Sequence, residues 1–358
     1  MIEPTTRIIW TNRLCSRAAL WAFSLFLFLV ATITGLWFAG ATMVRENIIA
    51  MATDLAADGG HFSAKTMKIT GFPTAFEVHL TGIRLAGSGP RGPWDWQAEK
   101  IRAQLAPWQT SNIRFDLAGT HRVRVHAARM PLDLEITATH ASGRIVRGTN
   151  GAPDMFQITP KILKIREAVT KQTITADQAR IQLFHYKAQN QDPTEPSAGI
   201  IFDIDNVTLP KAAGKFLSPS IKKLSTEIMV LGSLPTPIDR VRLGRWSRGG
   251  GTLEIKKLDL EWGPATMAAS GTFSLDDRLQ PEASLAARIT GHEQTVDALV
   301  AAGVIRARSA EGIKLVLTMM ARRPAPDKPV EIRIPMTIQN RALYVGPARL
   351  FRIPKIRW

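Results

Sequence analysis

The stretch GFPTAFEVHLTGIRL, residues 71–85, places Phe76, Val78 and Leu80 at alternate positions and then, one residue out of step, Ile83 and Leu85. Side chains of a strand point alternately to its two faces, so this period of two predicts a β-strand with one apolar face and one wet face. The alternation slips at Gly82, where a bulge or bend is expected. The pattern recurs in both directions from there. Short strands are expected at 96–105, 113–117, 123–125 and 132–138, and less tidily from Ile174 through Ile181 to Phe184. Further on they are expected at 200–207, 224–230, 271–275, 283–289, 313–319, 331–338 and 343–345. The run 251–262 reads as two strands or one bent strand, because its inward set shifts between Ile255 and Leu258. Turns are expected at 87–93 (GSGPRGP), 276–281 and 339–342. The polar run KAQNQDPTEPSA, 187–198, reads as a loop tip or as the seam between halves 61–190 and 198–358. One helix stands out near the end: Thr290 and Glu293 have capping-box spacing ahead of Val296, Leu299, Val300 and Val304, a face that should lie against the sheet.

Upstream of the strands lies AALWAFSLFLFLVATITGLWFAG, residues 18–40, with no charged residue. A helix of that length crosses the roughly 30 Å hydrocarbon core of a bilayer. Trp21, Phe23, Phe26, Phe28, Leu29, Ile33, Leu36 and Trp37 are its expected membrane-anchor residues, with the two tryptophans near the interfaces. Arg7, Arg13 and Arg17 precede the span, so the tail 1–17 is expected to be cytoplasmic and the rest of the chain to lie on the far side. The rival reading is a cleaved signal peptide, since Ala39-Gly40-Ala41 has the small residues of such a site; the apolar run is longer than the usual h-region of about 7–15 residues. Val44, Ile48, Met51 and Leu55 keep a helical period, and Gly59-Gly60 should end it. Residues 41–60 thus read as a helical stalk, or as a helix packed on the first strands.

The remaining residues, 61–358, are enough for a large β-rich domain with its own core. The single cysteine, Cys15, precedes the span, so no disulfide can form within the chain. The formal charge is +16, nearly all of it beyond the tail. Such charge suits anionic lipid head groups or nucleic acid; the topology argues against nucleic acid, and a basic surface without a partner is the plain alternative.

No Gly-x-Ser-x-Gly, phosphate loop, His-Glu-x-x-His or paired-cysteine spacing occurs. The seven histidines are scattered, with His121 and His126 nearest in sequence but on opposite strand faces. Asp203 and Asp205 share what reads as a solvated face, and Asp276-Asp277 read as a turn. Trp94, Trp96, Trp108, Trp246 and Trp262 read either as a groove lining or as core. No catalytic, metal-binding or cofactor-binding residue is expected, and the chain reads as a non-enzyme.

Several segments read together resemble the DUF2125 family of uncharacterised alphaproteobacterial envelope proteins. They are Gly71-Phe72-Pro73, the segment ending at Pro107-Trp108, and the run from Trp246 through Gly249-Gly250-Gly251 and Trp262-Gly263-Pro264 to Leu275; the segment 281–304 and Leu343-Tyr344-Val345-Gly346-Pro347 complete the set. More distantly the chain looks like AsmA-type proteins, whose β-rich grooves are associated with phospholipid movement. The resemblance implies an inner-membrane protein with a periplasmic domain of no established activity. The expected fold is mainly β: a transmembrane helix followed by a large curved antiparallel sheet, shaped as a groove or taco. The expected partners are the lipid bilayer and phospholipid, or other envelope proteins, and not nucleic acid.

Overall fold

The computed structural model describes residues 9–356 apart from 58, 90–91, 128–130, 149–152, 187–191, 211–216, 235–238, 324–328 and 347. Arg7, Pro90-Arg91 of the first expected turn, the middle of the 187–198 loop and Pro347 lie outside the described residues, as do the side chains of Arg13, Cys15 and Arg17. The chain opens with α1 (Ile9–Ala57), one unbroken helix of 49 residues. Its stretch from Ala19 onward is the one helix, among the described residues, long and apolar enough to cross a membrane. Gly59, at φ 77°, ends it.

Among the described residues eighteen strands follow in a single sheet. They are β1 (His61–Ser63), β2 (Thr66–Thr70), β3 (Phe76–Gly89), β4 (Gly92–Ala106), β5 (Gln109–Val125), β6 (Leu132–Thr137), β7 (His140–Arg147), β8 (Pro153–Glu167) and β9 (Thr173–His185). Then come β10 (Pro196–Thr208), β11 (Ser220–Leu231), α2 (Arg240–Arg248), β12 (Thr252–Trp262), β13 (Ala265–Leu275) and β14 (Pro281–Thr290). The chain closes with α3 (His292–Ala301), α4 (Ala307–Met320), β15 (Ala321–Arg322), β16 (Glu331–Gln339), β17 (Ala342–Val345) and β18 (Ala348–Arg352). Every register among the described residues is antiparallel, and most strands pair with their neighbours in sequence. Short strands share a position: β1 and β2 both lie along β3, β6 and β7 both bridge β5 to β8, and β15 and β17 share one side of β16. Polar run 187–198 joins β9 to β10, which pair directly, Ile200 opposite Leu183.

The expected bent strand at 251–262 is β12, whose register shifts between Ile255 and Leu258 against β13. The turns at 276–281 and 339–342 stand where expected; Asp276 Oδ1 accepts from the Arg278 and Gln280 amides at 2.8 and 2.6 Å.

Four local expectations are corrected. Residues 113–117 and 123–125 are not separate strands but parts of β5, which passes through Gly119 at φ 86°. Residues 313–319 are not a strand but lie in α4. Their apparent alternation misleads because Ala310, Ile313, Lys314 and Leu317 form the inward face at helical spacing, leaving Leu315, Val316 and Met319 exposed. The Thr290/Glu293 capping box does not form, because Thr290 is still in β14 opposite Thr266 and Glu331; Gly291 at φ 69° is the N-cap, without a side-chain bond. Met51 is exposed, and Ala52 takes the inward position between Ile48 and Leu55.

Sheet and helix meet at a tight junction. Trp37, 8% exposed, packs with Ala41 and Phe76, and Val44, Ile69 and Leu105 close around them. Trp37 Nε1 donates to the Ala75 carbonyl at 2.9 Å, and its ring stands edge-on to Phe72 at 5.6 Å. Gly40 lets the helix approach, since a Cβ there would lie 2.5 Å from the Phe76 ring. Replacing Gly40 by Val should therefore cost about 1–3 kcal/mol by overpacking, and Phe76→Ala about 3–5 kcal/mol. Gly35→Ala, whose Cβ meets nothing within 4 Å, should not destabilise; thermal melts of the detergent-solubilised chain measure all three. Ile162 is a second test: a β-branched, exposed residue at φ 49°. Ile162→Asn should stabilise by about 1 kcal/mol, because asparagine tolerates the left-handed conformation better.

Candidate functional site

Registers fix which side chains share a face. One row can be followed strand to strand: Val78, Ala103, Phe115, Gly143, Ile158 and Ile181 lead from β3 to β9. It continues through Phe202, Thr226, Leu258, Ala269, Ala287 and Ile334 to β16. Thr226 is the single hydroxyl in this row, and it donates to the Lys257 carbonyl at 3.0 Å. One face of the sheet is therefore apolar across twelve strands, as half-buried antiparallel strands require.

Helices cover that face at its two ends. At one end α1 lies on it through Trp37, Ala41 and Val44. At the other, Leu317 of α4 and Ala321 pack against a cluster built on Ala269, Ala287, Ile332 and Ile334. Between these ends Phe156, Ile158, Ile181, Phe202, Ile204 and Ile228 are half-buried, and no helix shares a hydrophobic cluster with them among the described residues.

A line of backbone irregularities crosses the first strands at one level. Gly82 (φ 57°), the register shift between Ala98 and Lys100 opposite Gly119, the gap between β6 and β7, Ile162 and Asn206 (φ 52°) fall on it. On either side the apolar positions differ by one: Leu80 then Ile83 in β3, Ile101 then Ala98 in β4, Pro160 then Leu163 in β8, Ile204 then Val207 in β10. The shift beside Ala98 is a bulge of β5, whereas β3, β8 and β10 carry their left-handed residues on this row without losing register, and the apolar residues of each strand stay on one side.

The opposite face is polar and carries a cavity of about 700 Å³, lined by Lys256, Lys257, Arg288 and Arg333 among small residues such as Ala268, Ser270 and Ser284. Three of its cations are already paired: Lys256 with Glu254 at 2.7 Å, Lys257 with Asp259 at 3.2 Å and Arg333 with Glu331 at 2.9 Å. Leu285, Ala286 and Pro335 also line this trough; the apolar face, continuous over twelve strands, is the functional candidate. The polar side also holds Asp95, which accepts from Arg124 at 2.9 Å and meets His126 Nε2 at 3.0 Å. Burial pushes the Asp95 carboxyl up, but hydrogen bonds from His126 and Arg124 outweigh it and leave the group below its ordinary value. Among the described residues no three His, Cys, Asp or Glu side chains converge to hold a metal.

The anchor residues named from sequence divide into two groups. Trp21, Phe23, Phe26, Phe28, Leu29, Ile33 and Leu36 are exposed on α1, whereas Trp37 is the buried residue of the helix–sheet junction. The five tryptophans read as groove or core do not converge. Trp94 and Trp96 alternate with Asp95 on β4, Trp108 is exposed at a hairpin tip, and Trp246 and Trp262 donate to the Leu231 and Ser218 carbonyls. Asp203 is half-buried and accepts from Ser225 at 2.6 Å, while Asp205 is exposed.

His121 was not legible as special. It lies on the apolar face between Ala98 and Ile136, stacked on Trp96 at 5.8 Å, with both ring nitrogens buried and without a partner. Burial pushes its pKa below the ordinary 6.5, with Glu99 opposing. As pH falls through 6.5 the unfolded chain takes up this proton before the folded one, so stability present above that value is lost below it. Urea midpoints should drop between about pH 7.5 and pH 5, and His121→Phe should reduce that drop.

The description "Uncharacterized protein conserved in bacteria (DUF2125)" matches this chain over residues 37–354, from the junction tryptophan to beyond the last strand. No curated protein and no solved structure matches it. The matched segment takes in the whole sheet, and the chain belongs to the DUF2125 family.

Proposed function

We propose that this protein is a single-pass inner-membrane protein whose sheet stands on the periplasmic side and whose apolar face takes up the acyl chains of phospholipid or another hydrophobic envelope ligand. It acts without catalysis. The observation that carries this reading is the twelve-strand apolar row with helices packed in the clusters at its two ends. Its central residues are half-buried although, among the described residues, no helix shares a hydrophobic cluster with them, which fits a sheet that curves around its own apolar side. The line of left-handed residues, with the bulge in β5, supplies a place to bend, and the right-handed twist of wide sheets adds to it. The resemblance to AsmA-type grooves points the same way.

The mechanism is passive. A chain leaving the bilayer for water exposes apolar surface at about 0.8 kcal/mol per methylene; a continuous apolar face removes most of that cost. Basic residues outside the tail favour anionic head groups near the membrane. A second reading, a scaffold for other envelope proteins, draws on α4, where Leu315, Val316 and Met319 form an exposed apolar strip.

Native mass spectrometry of the full chain separates the two. Lipid should co-purify, and Ile181→Asp or Phe202→Asp in mid-row should abolish its retention, while Arg180→Gln on the other face should leave it intact. Lipid-free protein that also takes up no lipid from vesicles would sink the proposal and leave the scaffold.

A further inference from the structure

We infer that the loop 71–75 and the β4–β5 hairpin tip 106–112 are a second membrane contact, seated in the bilayer interface beside the span. This rests on the reading of α1 as a membrane anchor. Trp37 follows Trp21 by about 24 Å of helix, and the exposed apolar side chains of α1 continue past it through Phe38 and Met43 to the first charged residues, Arg45 and Glu46. What touches Trp37 therefore stands at or below the height of the head groups. The Phe72 ring is 5.6 Å from the Trp37 ring yet Phe72 is 50% exposed. Phe76 pairs with Leu105, and Ala106 with Gln109, so the β4–β5 hairpin closes next to the 71–75 loop with Trp108 at its tip. Trp108 is 75% exposed, one of the most exposed large apolar side chains outside α1.

Neither loop contains a charged residue: they read GFPTA and APWQTSN. In a chain of which 21% is charged, two adjacent uncharged loops with aromatic tips at one strand end match the chemistry of the membrane interface, where amphipathic rings settle at head-group depth. The occupant is the lipid surface, because the patch is continuous with the span through Trp37. A protein partner would have to fit between that patch and the bilayer.

The test uses the full chain in vesicles of phosphatidylethanolamine with a minor share of phosphatidylglycerol, on a Cys15→Ser background that removes the one native thiol. A fluorophore is attached at Trp108→Cys, or at Thr74→Cys, which keeps both aromatic tips. Ser88→Cys is the control, about 40 Å from Phe76 along the same strand, and Leu29→Cys reports the span. Lipids spin-labelled near the ester end of the chain should quench the probes at 108 and 74 several-fold more than the probe at 88. Lipids labelled near the methyl end should quench the probe at 29. Quenching at 29 with probes at 108 and 74 no better quenched than 88 overturns the inference and leaves the span standing. No quenching at 29 removes the span, and the inference with it.

Discussion

A sheet of this width cannot present a whole face of Val, Ile, Leu and Phe to water, since each such side chain left uncovered forgoes about 1.5–3 kcal/mol. Everything else in the molecule answers that constraint. The first strands are covered by the same helix that carries the apolar 18–40 stretch, locked by Trp37 against Phe76 and the Ala75 carbonyl. The last strands are covered by α4 through Leu317. In the middle the face depends on the sheet itself or on a ligand, and this is where the chemistry of the protein has to be sought.

The line of backbone irregularities shows how tightly the face is specified. A slip of one residue in a strand transfers its apolar set to the other side. Here β3, β4, β8 and β10 each slip by one, at Gly82, Glu99, Ile162 and Asn206, and they do so at the same row. A slip in one strand alone would set polar residues among its neighbours' apolar ones. Together they cancel, and the price is a left-handed backbone at Ile162 and Asn206, where glycine is absent.

Much of this was legible from residues alone. Period-two runs such as Phe76-Val78-Leu80 announce strands because burial on one face imposes them, and the slip at Gly82 and the shift between Ile255 and Leu258 could be read because they break that period. What was not legible depends on partners distant in sequence. Residues 313–319 alternate well enough to pass for a strand, and only contact with Ile332 and Ile334 selects the helical face of α4. α2, RVRLGRWSR, hides behind four arginines, although Asp239, whose Oδ1 accepts from the Arg242 amide at 2.8 Å, is a helix-start signal. The role of Trp37 was invisible because a tryptophan at the end of an apolar run suits a lipid interface equally well. His121 gave no signal, since its burial is set by Trp96 and Ile136 on neighbouring strands.

The continuity of α1 ties these features together. A flexible linker after the span would let the sheet tumble, and the height and direction of its apolar face relative to the lipid would be undefined. Instead the helix runs through Trp37 to Ala57 without a break. Each residue of an α-helix advances about 1.5 Å and turns about 100°, so one residue added or removed before Trp37 would swing Phe26, Leu29, Ile33 and Leu36 around the axis relative to the sheet. The phase of the span and the aspect of the apolar face are therefore a single geometric quantity. A protein that only needed tethering would have no use for that coupling; the proposed uptake of lipid on the apolar face would require it.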